Sequence, residues 1–165
     1  MGHSLMVIDV RKSATGDAAA MRAIYAPYVL GSAISFEEDV PSEEDMESRR
    51  KAAHVALVAE NRGIIVGYAY GGVHRARPAY RFACDVSVYV DDRHHRQGIG
   101  RVLFQALLPE LAQSGFHRAY GGIALPNDGS VALHEAFGFR HIGTFDEVGF
   151  KFGRWHDVGW WEKRL

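Results

Sequence analysis

The sequence predicts one mixed α/β (α+β) domain, a central sheet with helices on both faces. Three observations predict it. Short runs alternate apolar and polar residues with period two, as half-buried strands do, most clearly Val86-Ser87-Val88-Tyr89-Val90. Other runs have helical spacing: Val102, Leu103, Ala106, Leu107 and Leu111 return to one helix face. The order is strand, helices, a series of strands, then alternating helix and strand, with no linker to divide it. The 165 residues, 47% apolar and 24% charged, fit a single domain over residues 1–165 with a full core and exclude a disordered chain.

Leu5 to Val10 reads as a first strand. Ser13 to Asp17 offers capping side chains for a helix on which Ala20, Ile24 and Tyr28 share a face, with Gly31 as its stop. Pro41-Ser42-Glu43-Glu44-Asp45 starts a second helix, running to about Ala53, with acids at the positive end of its dipole. Val55–Glu60 and Ile64–Val73 pair through the tight turn Asn61-Arg62-Gly63. An arginine-bearing loop, His74 to Pro78, leads to a strand over Arg81–Val90. A helix follows from Ile99 to Gln113, ended by Gly115; Pro109 inside it should kink or shorten it. Ala119–Ile123 is a strand, Asn127–Phe137 a helix, and Phe139–Phe145 and Trp155–Lys163 close the sheet.

Charge and composition narrow the function classes. With 19 basic and 20 acidic residues and no long block of one sign, no nucleic-acid footprint is indicated. The single cysteine, Cys84, forms no intrachain disulfide and suits a reducing compartment. No apolar run reaches membrane-span length and Met1 to Val10 lacks the pattern of a signal peptide, so the cytoplasm is expected. No metal site is expected: His94 and His95 are adjacent and diverge, and His134-Glu135-Ala136-Phe137-Gly138 lacks the second histidine of a zinc helix.

The segment Asp91 to Gly100 joins a strand to a helix through two glycines. Amides at a helix start have no internal partners and lie at the positive end of the dipole, so they suit a pyrophosphate. Arg93, Arg96 and Arg101 could add charge. The segment lacks the third glycine of a dinucleotide fingerprint and the Gly-Lys-Ser/Thr of a Walker loop. Pattern alone serves an anion site and a plain turn equally.

His95-Arg96-Gln97-Gly98-Ile99-Gly100 resembles the coenzyme A signature of the GNAT acetyltransferases, Gln/Arg-x-x-Gly-x-Gly/Ala, with His95 departing at the first position. Ser35-Phe36-Glu37-Glu38, Gly67-Tyr68-Ala69, Ser87-Val88-Tyr89-Val90, Pro126-Asn127, Leu133 to Phe139 and Gly149 to Val158 resemble the phosphinothricin N-acetyltransferase subfamily across nearly the whole chain. The resemblance implies a GNAT fold of about seven strands. It implies acetyl transfer from acetyl-CoA, as cosubstrate, to a small amino-acid-like amine such as phosphinothricin or methionine sulfoximine or sulfone, in a homodimer. Acetylation of another amine and a coenzyme A-binding module with little catalysis are the alternatives.

Direct transfer needs a neutral amine, a polarised thioester, close approach and a protonated leaving thiolate. Cys84 is not required and fits a small core residue. The resemblance places Asp85 where the subfamily carries a glutamate base, one methylene shorter here, and His134 where many GNAT enzymes carry a proton-donating tyrosine; a surface helix histidine is the plainer alternative. It assigns the coenzyme to backbone groups of Val88, Tyr89 and Val90, to His95, Arg96, Gln97, Gly98, Ile99, Gly100 and Arg101, and to Asn127 and Ser130. Asn127 also serves as a plain helix cap. The substrate falls to Phe36, Ser87, Arg75, Arg77 and Arg81, guanidinium suiting carboxylate or phosphinate, with solvated loop arginines as the alternative. Lys151 and Trp155 are implied to lie near a partner's site; a terminal strand on its own sheet is equally compatible.

Overall fold

The computed structural model describes residues 6–165, so Leu5, the predicted start of the first strand, lies outside the described residues. The chain order is β1 (Ile8–Lys12), α1 (Ala18–Gly31), α2 (Glu43–Ala52), β2 (Val55–Asn61), β3 (Ile64–Val73), β4 (Ala83–Val90), α3 (Ile99–Gln113), β5 (Arg118–Leu125), α4 (Asp128–Ala136), β6 (Arg140–Lys151) and β7 (Arg154–Arg164). Single 3-10 turns cover Pro78–Tyr80 and Asp92–His94. The seven strands form one sheet in the order β1-β2-β3-β4-β5-β7-β6. Only β4 and β5 run parallel.

Several boundaries differ from the sequence expectation for local reasons. β1 runs on to Lys12 because its register on β2 extends to Lys12↔Leu57. At the start of α1, Asp17 makes no side-chain cap; its carboxylate accepts from the Ala14 N–H (2.7 Å) and from the guanidinium of Arg11 (2.8 and 3.0 Å). The buried face of α1 is Ala18, Met21, Ile24, Tyr25 and Val29, rotated from the expected Ala20-Ile24-Tyr28 stripe. The start of α2 follows expectation, with Ser42 and Asp45 capping each other reciprocally. β4 begins at Ala83 rather than Arg81, because the Pro78–Tyr80 turn takes up the preceding chain. α3 passes through Pro109 to Gln113 and is not shortened. β6 is longer than expected: a register shift between Phe145 and Gly149 is bridged where the Glu147 N–H donates to Asp157 (2.6 Å), and pairing resumes to Lys151.

Each sheet face carries its own core. On one, α1 and α2 bury Met21, Ile24, Tyr25, Val29 and Met46 against Val58 and Tyr68. On the other, α3 buries Ile99, Leu103, Phe104, Leu107 and Leu111 against Leu57, Ala59, Ala69 and Cys84. Each such side chain contributes about 1.5–3 kcal/mol by leaving water. α3 lies close because β3 presents glycines to it: a Cβ on Gly67 would come 2.9 Å from Ile99 and one on Gly71 2.6 Å from Leu111. Gly67 meets the start of α3 and Gly71 its end, so α3 runs back against β4, with its N-terminus at the end of β4.

Lys151, expected near a substrate site, is instead an internal clamp. It is 4% exposed, and its ammonium donates to the carbonyls of Val29 (2.6 Å) and Ser35 (2.7 Å). The first is in the last turn of α1, where a cation meets the negative end of the dipole. The second fixes the 32–37 loop. The tertiary route of β6 to α1, invisible to local pattern, turns this lysine inward.

Gly71→Val should overpack α3 and cost about 1–3 kcal/mol, read as a lower urea midpoint with an unchanged m-value. Lys151→Met, leaving two buried carbonyls without donors, should cost about 1–3 kcal/mol in the same measurement.

Candidate active site

β3 pairs with β4 from Gly67↔Val90 to Val73↔Cys84. β5 pairs with β4 only at Ala83↔Arg118, Cys84↔Ala119 and Asp85↔Tyr120. Beyond Asp85 the two strands part, and the β5-facing edge of Val86 to Val90 is left without a strand partner. Along the gap lie a cleft of about 520 Å³, a narrow passage of about 60 Å³ and a second cavity of about 510 Å³. Ile34 and Tyr89 border all three, so they adjoin one another along the gap.

The first cleft is built around the start of α3. Arg96 (φ 61°) and Gly98 (φ 78°) take left-handed conformations, the second at the N-cap without any side-chain cap. The first helical bond runs from the Val102 N–H to the Gly98 carbonyl (3.1 Å), leaving the amides of Ile99, Gly100 and Arg101 free of helix partners. Successive amides in this geometry form an anion cradle. Arg96 and Arg101 line the cleft, as do Asn127 and Ser130 across it on α4. Asn127 caps α4, its Oδ1 accepting from the Ser130 N–H (3.2 Å). Val88, Tyr89 and Val90 supply the strand wall.

Four expectations change here. Arg93 turns away and forks onto Asp91 (Nε 3.0 Å, Nη2 2.7 Å), holding that carboxyl well below the usual range. His95 lines the cleft but braces it: its Nε2 lies 2.8 Å from the Tyr28 hydroxyl, which itself donates to the Val90 carbonyl. The Val90 carbonyl is thereby engaged; the β3 ladder, in which the Asp91 N–H donates to the Val66 carbonyl, turns the backbone groups of Tyr89 toward β3 and leaves those of Val86 and Val88 at the open edge. Gln97 is exposed and outside the cleft lining; only its place in the turn matters.

The second cavity holds Asp85 and Ser87 of β4, with Tyr25, Phe36, Glu37 and Trp160 around them. It contains two carboxylates with different environments. Arg49 grips Glu37 through both oxygens and Tyr25 donates to it, so Glu37 is held below its ordinary range. Burial pushes the Asp85 carboxyl up, only partly offset by His74 and by the charge of Arg75. Asp85 is therefore the basic member. Phe36 lines the cavity, its ring packed where a Cβ on Gly149 would come within 2.3 Å.

His74 was not foreseen. Its Nδ1–H donates to Asp85 Oδ1 at 2.6 Å. The one available signal is the hairpin register, Gly72↔Asp85, which returns the end of β3 beside the acid. Arg75, Arg77 and Arg81 are exposed and none lines the cavity. Arg75 donates to the His74 carbonyl (2.8 Å), and Arg81 to the Pro78 carbonyl (3.1 Å) while lying over Phe82.

His134, expected as a proton donor, is held inside the fold. It is 3% exposed, edge-on to Phe104 and Phe139, and burial lowers its pKa. Its Nδ1–H donates to the Ser130 carbonyl (2.7 Å), which leaves Nε2 as the acceptor of the neutral ring. That nitrogen has no hydrogen-bond partner and packs on Gly121, beside the narrow passage. Cys84 is fully buried and its thiol is pushed up to about 12, which leaves it no role as a nucleophile.

An acetyltransferase (GNAT) domain model matches residues 10–160. The chain is 39% identical over 160 residues to a phosphinothricin N-acetyltransferase of Streptomyces viridochromogenes, covering 94% of this chain and 87% of that one. It is 32% identical over 162 residues to an L-methionine sulfoximine/L-methionine sulfone acetyltransferase of Salmonella typhimurium, covering 96% and 95%. The solved structure of a GNAT superfamily phosphinothricin acetyltransferase from Sinorhizobium meliloti, in complex with AcCoA, superposes with a TM-score of 0.93 at 33% identity, covering 97% of this chain and 89% of that one. With the parted strands and the amide cradle, these likenesses make the chain a member of the GNAT acetyltransferase family.

Proposed function

We propose that this N-acetyltransferase moves the acetyl group of acetyl-CoA to the amine of a small amino-acid-like substrate, such as phosphinothricin or methionine sulfoximine or sulfone, without a covalent enzyme intermediate. The single observation that carries the reading is the row of adjoining cavities along the gap between β4 and β5, with an anion cradle at one end and Asp85 at the other. Acetyl-CoA supplies the activated acyl group. The free amides of α3, with Arg96 and Arg101, bind its pyrophosphate, and the open edge at Val88 orients the pantetheine arm as an added strand would be. Asp85 takes a proton from the substrate ammonium, giving the neutral amine that attacks the acetyl carbon; the C–N bond forms, the C–S bond breaks, and coenzyme A leaves as a thiolate that takes up the second proton lost by the acetylated nitrogen. Phe36 and Trp160 hold the apolar part of the substrate. The Arg75 charge, near enough to act on Asp85, favours a substrate with an acidic group and disfavours polyamines.

The proposal includes a homodimer. Phe145, Val148, Phe150, Phe152 and Trp155 on the β6–β7 hairpin are each more than half exposed, an apolar surface of the kind that marks interfaces. A cytoplasmic location accords with the free, buried Cys84, and no helix among the described residues is long and apolar enough to cross a membrane.

Purified protein mixed with acetyl-CoA and each of these amines should release coenzyme A thiol above background; silence with all of them rejects this substrate class. Asp85→Asn should lower kcat by about 10²–10⁴-fold while acetyl-CoA affinity by calorimetry stays put. In the parent protein kcat/KM should fall as pH drops through the Asp85 pKa, with a midpoint above the ordinary carboxylate value of about 3.9, because the protonated acid cannot accept the amine proton. Gly98→Ala meets no atom but strains a left-handed residue, and should weaken acetyl-CoA binding about tenfold without moving that midpoint. Analytical ultracentrifugation should give a dimer, and Trp155→Glu with Phe150→Glu a monomer.

A further inference from the structure

We propose that His74 is a positioning residue for acetyl transfer: it holds Oδ1 of Asp85 so that the second carboxylate oxygen is presented to the acceptor amine. The proposal rests on the reading of Asp85 as base. Four observations carry it. The contact is short, 2.6 Å between His74 Nδ1 and Asp85 Oδ1, and it is the one side-chain hydrogen bond that the structure gives Asp85. Both partners are largely shielded, with side chains 13% and 31% exposed. The imidazole is itself fixed: it stacks on Tyr120 (centroids 4.5 Å apart, 20° between planes) and meets the edges of Tyr80 and Trp160. Asp85 lines the acceptor cavity, whereas His74 stands behind it, so the histidine acts through the acid.

The geometry answers the difficulty of a short base. An aspartate has one rotatable bond fewer than glutamate and reaches less far from β4. Tying one oxygen to a ring that is wedged between three aromatics leaves the carboxylate one orientation. In the proton step the substrate N–H bond breaks and an O–H bond forms at the free oxygen of Asp85. His74 keeps its own proton on Nδ1 and continues to donate. Around the pair the titratable or charged groups are Arg75 on the loop after β3, Cys84 beside Asp85 on β4, Tyr80 in the 3-10 turn, Tyr120 on β5 and, in the cavity that Asp85 lines, Tyr25 of α1 and Glu37.

Two substitutions separate the donor from the ring. His74→Asn keeps an N–H near the Nδ1 position but loses the stacking ring. His74→Phe keeps the ring and loses the donor. If the hydrogen bond matters, H74F should lose about tenfold or more in kcat with little change in the KM for acetyl-CoA, and H74N should retain most of the rate. The acid limb of the pH profile should move up by about one pH unit in H74F, because the donor favours the charged carboxylate, and stay in place in H74N. A purely structural ring predicts the opposite ranking. Rate kept in H74F, or lost in both variants without movement of the acid limb, overturns the proposal. The Asp85 carboxyl titration followed by ¹³C NMR reads the same coupling without turnover: its midpoint should rise in H74F, and an unmoved midpoint also overturns the proposal. If the parent protein binds acetyl-CoA yet acetylates none of the amines, the substrate reading fails while the NMR result still decides the role of His74.

Discussion

The molecule depends on the parting of β4 from β5. A parallel pair that stayed in register would satisfy its own backbone and leave nothing for a ligand. Here pairing stops at Asp85↔Tyr120, and the cost of unpaired strand edge is offset only if something else meets those groups. α3 and α4 follow the two diverging strands, and their starts face each other across the opening. The same divergence creates the anion cradle, the open edge and the passage to Asp85. What holds the gap open is the closed remainder of the sheet: β3 pairs with β4 to its end, and β7 pairs with β5 from Arg118↔Arg164 to Leu125↔Asp157.

The acceptor cavity divides labour between two carboxylates by environment. Glu37 meets a guanidinium and a phenol and is held charged as part of the wall. Asp85 meets one imidazole N–H and is partly buried, so its affinity for a proton is greater. A base needs a proton affinity near that of its task, and burial without full ionic compensation supplies it. The 32–37 loop that carries Phe36 and Glu37 is pinned by Lys151 from the far strand pair, which ties the shape of the cavity to the β6–β7 hairpin. The exposed aromatic side chains on that hairpin connect the cavity, through Lys151, to whatever covers them.

Much of this was legible along the chain. The helix over Ile99–Gln113, the return strand Ile64–Val73 and the capped start at Ser42 are local matters of periodicity and capping, and each forms where those patterns put it. Boundaries slipped where a distant partner intervened. Arg11 took Asp17 from its capping role, and Asp157 carried β6 across a shift in register. Site residues followed the same division. Glycines and amides of the turn were legible because backbone geometry is local. The direction of His95, Arg93, His134 and Lys151 was not: His95 and Lys151 found partners across the fold, and Arg93 and His134 turned to Asp91 and Ser130 close by in the chain.

The sequence by itself determined the alternation of elements, the glycine turn at the head of α3, the single cysteine and the acid two residues before Ser87. These rest on short-range rules: strand and helix periods, left-handed conformations at glycine, and the free amides of a helix start. Only the tertiary structure decided that β4 and β5 part beyond Asp85, that His74 meets that acid, and that His134 is walled in with its pKa lowered. Those outcomes depend on strand register and on burial, which set hydrogen-bond partners and proton affinities between residues far apart in the chain.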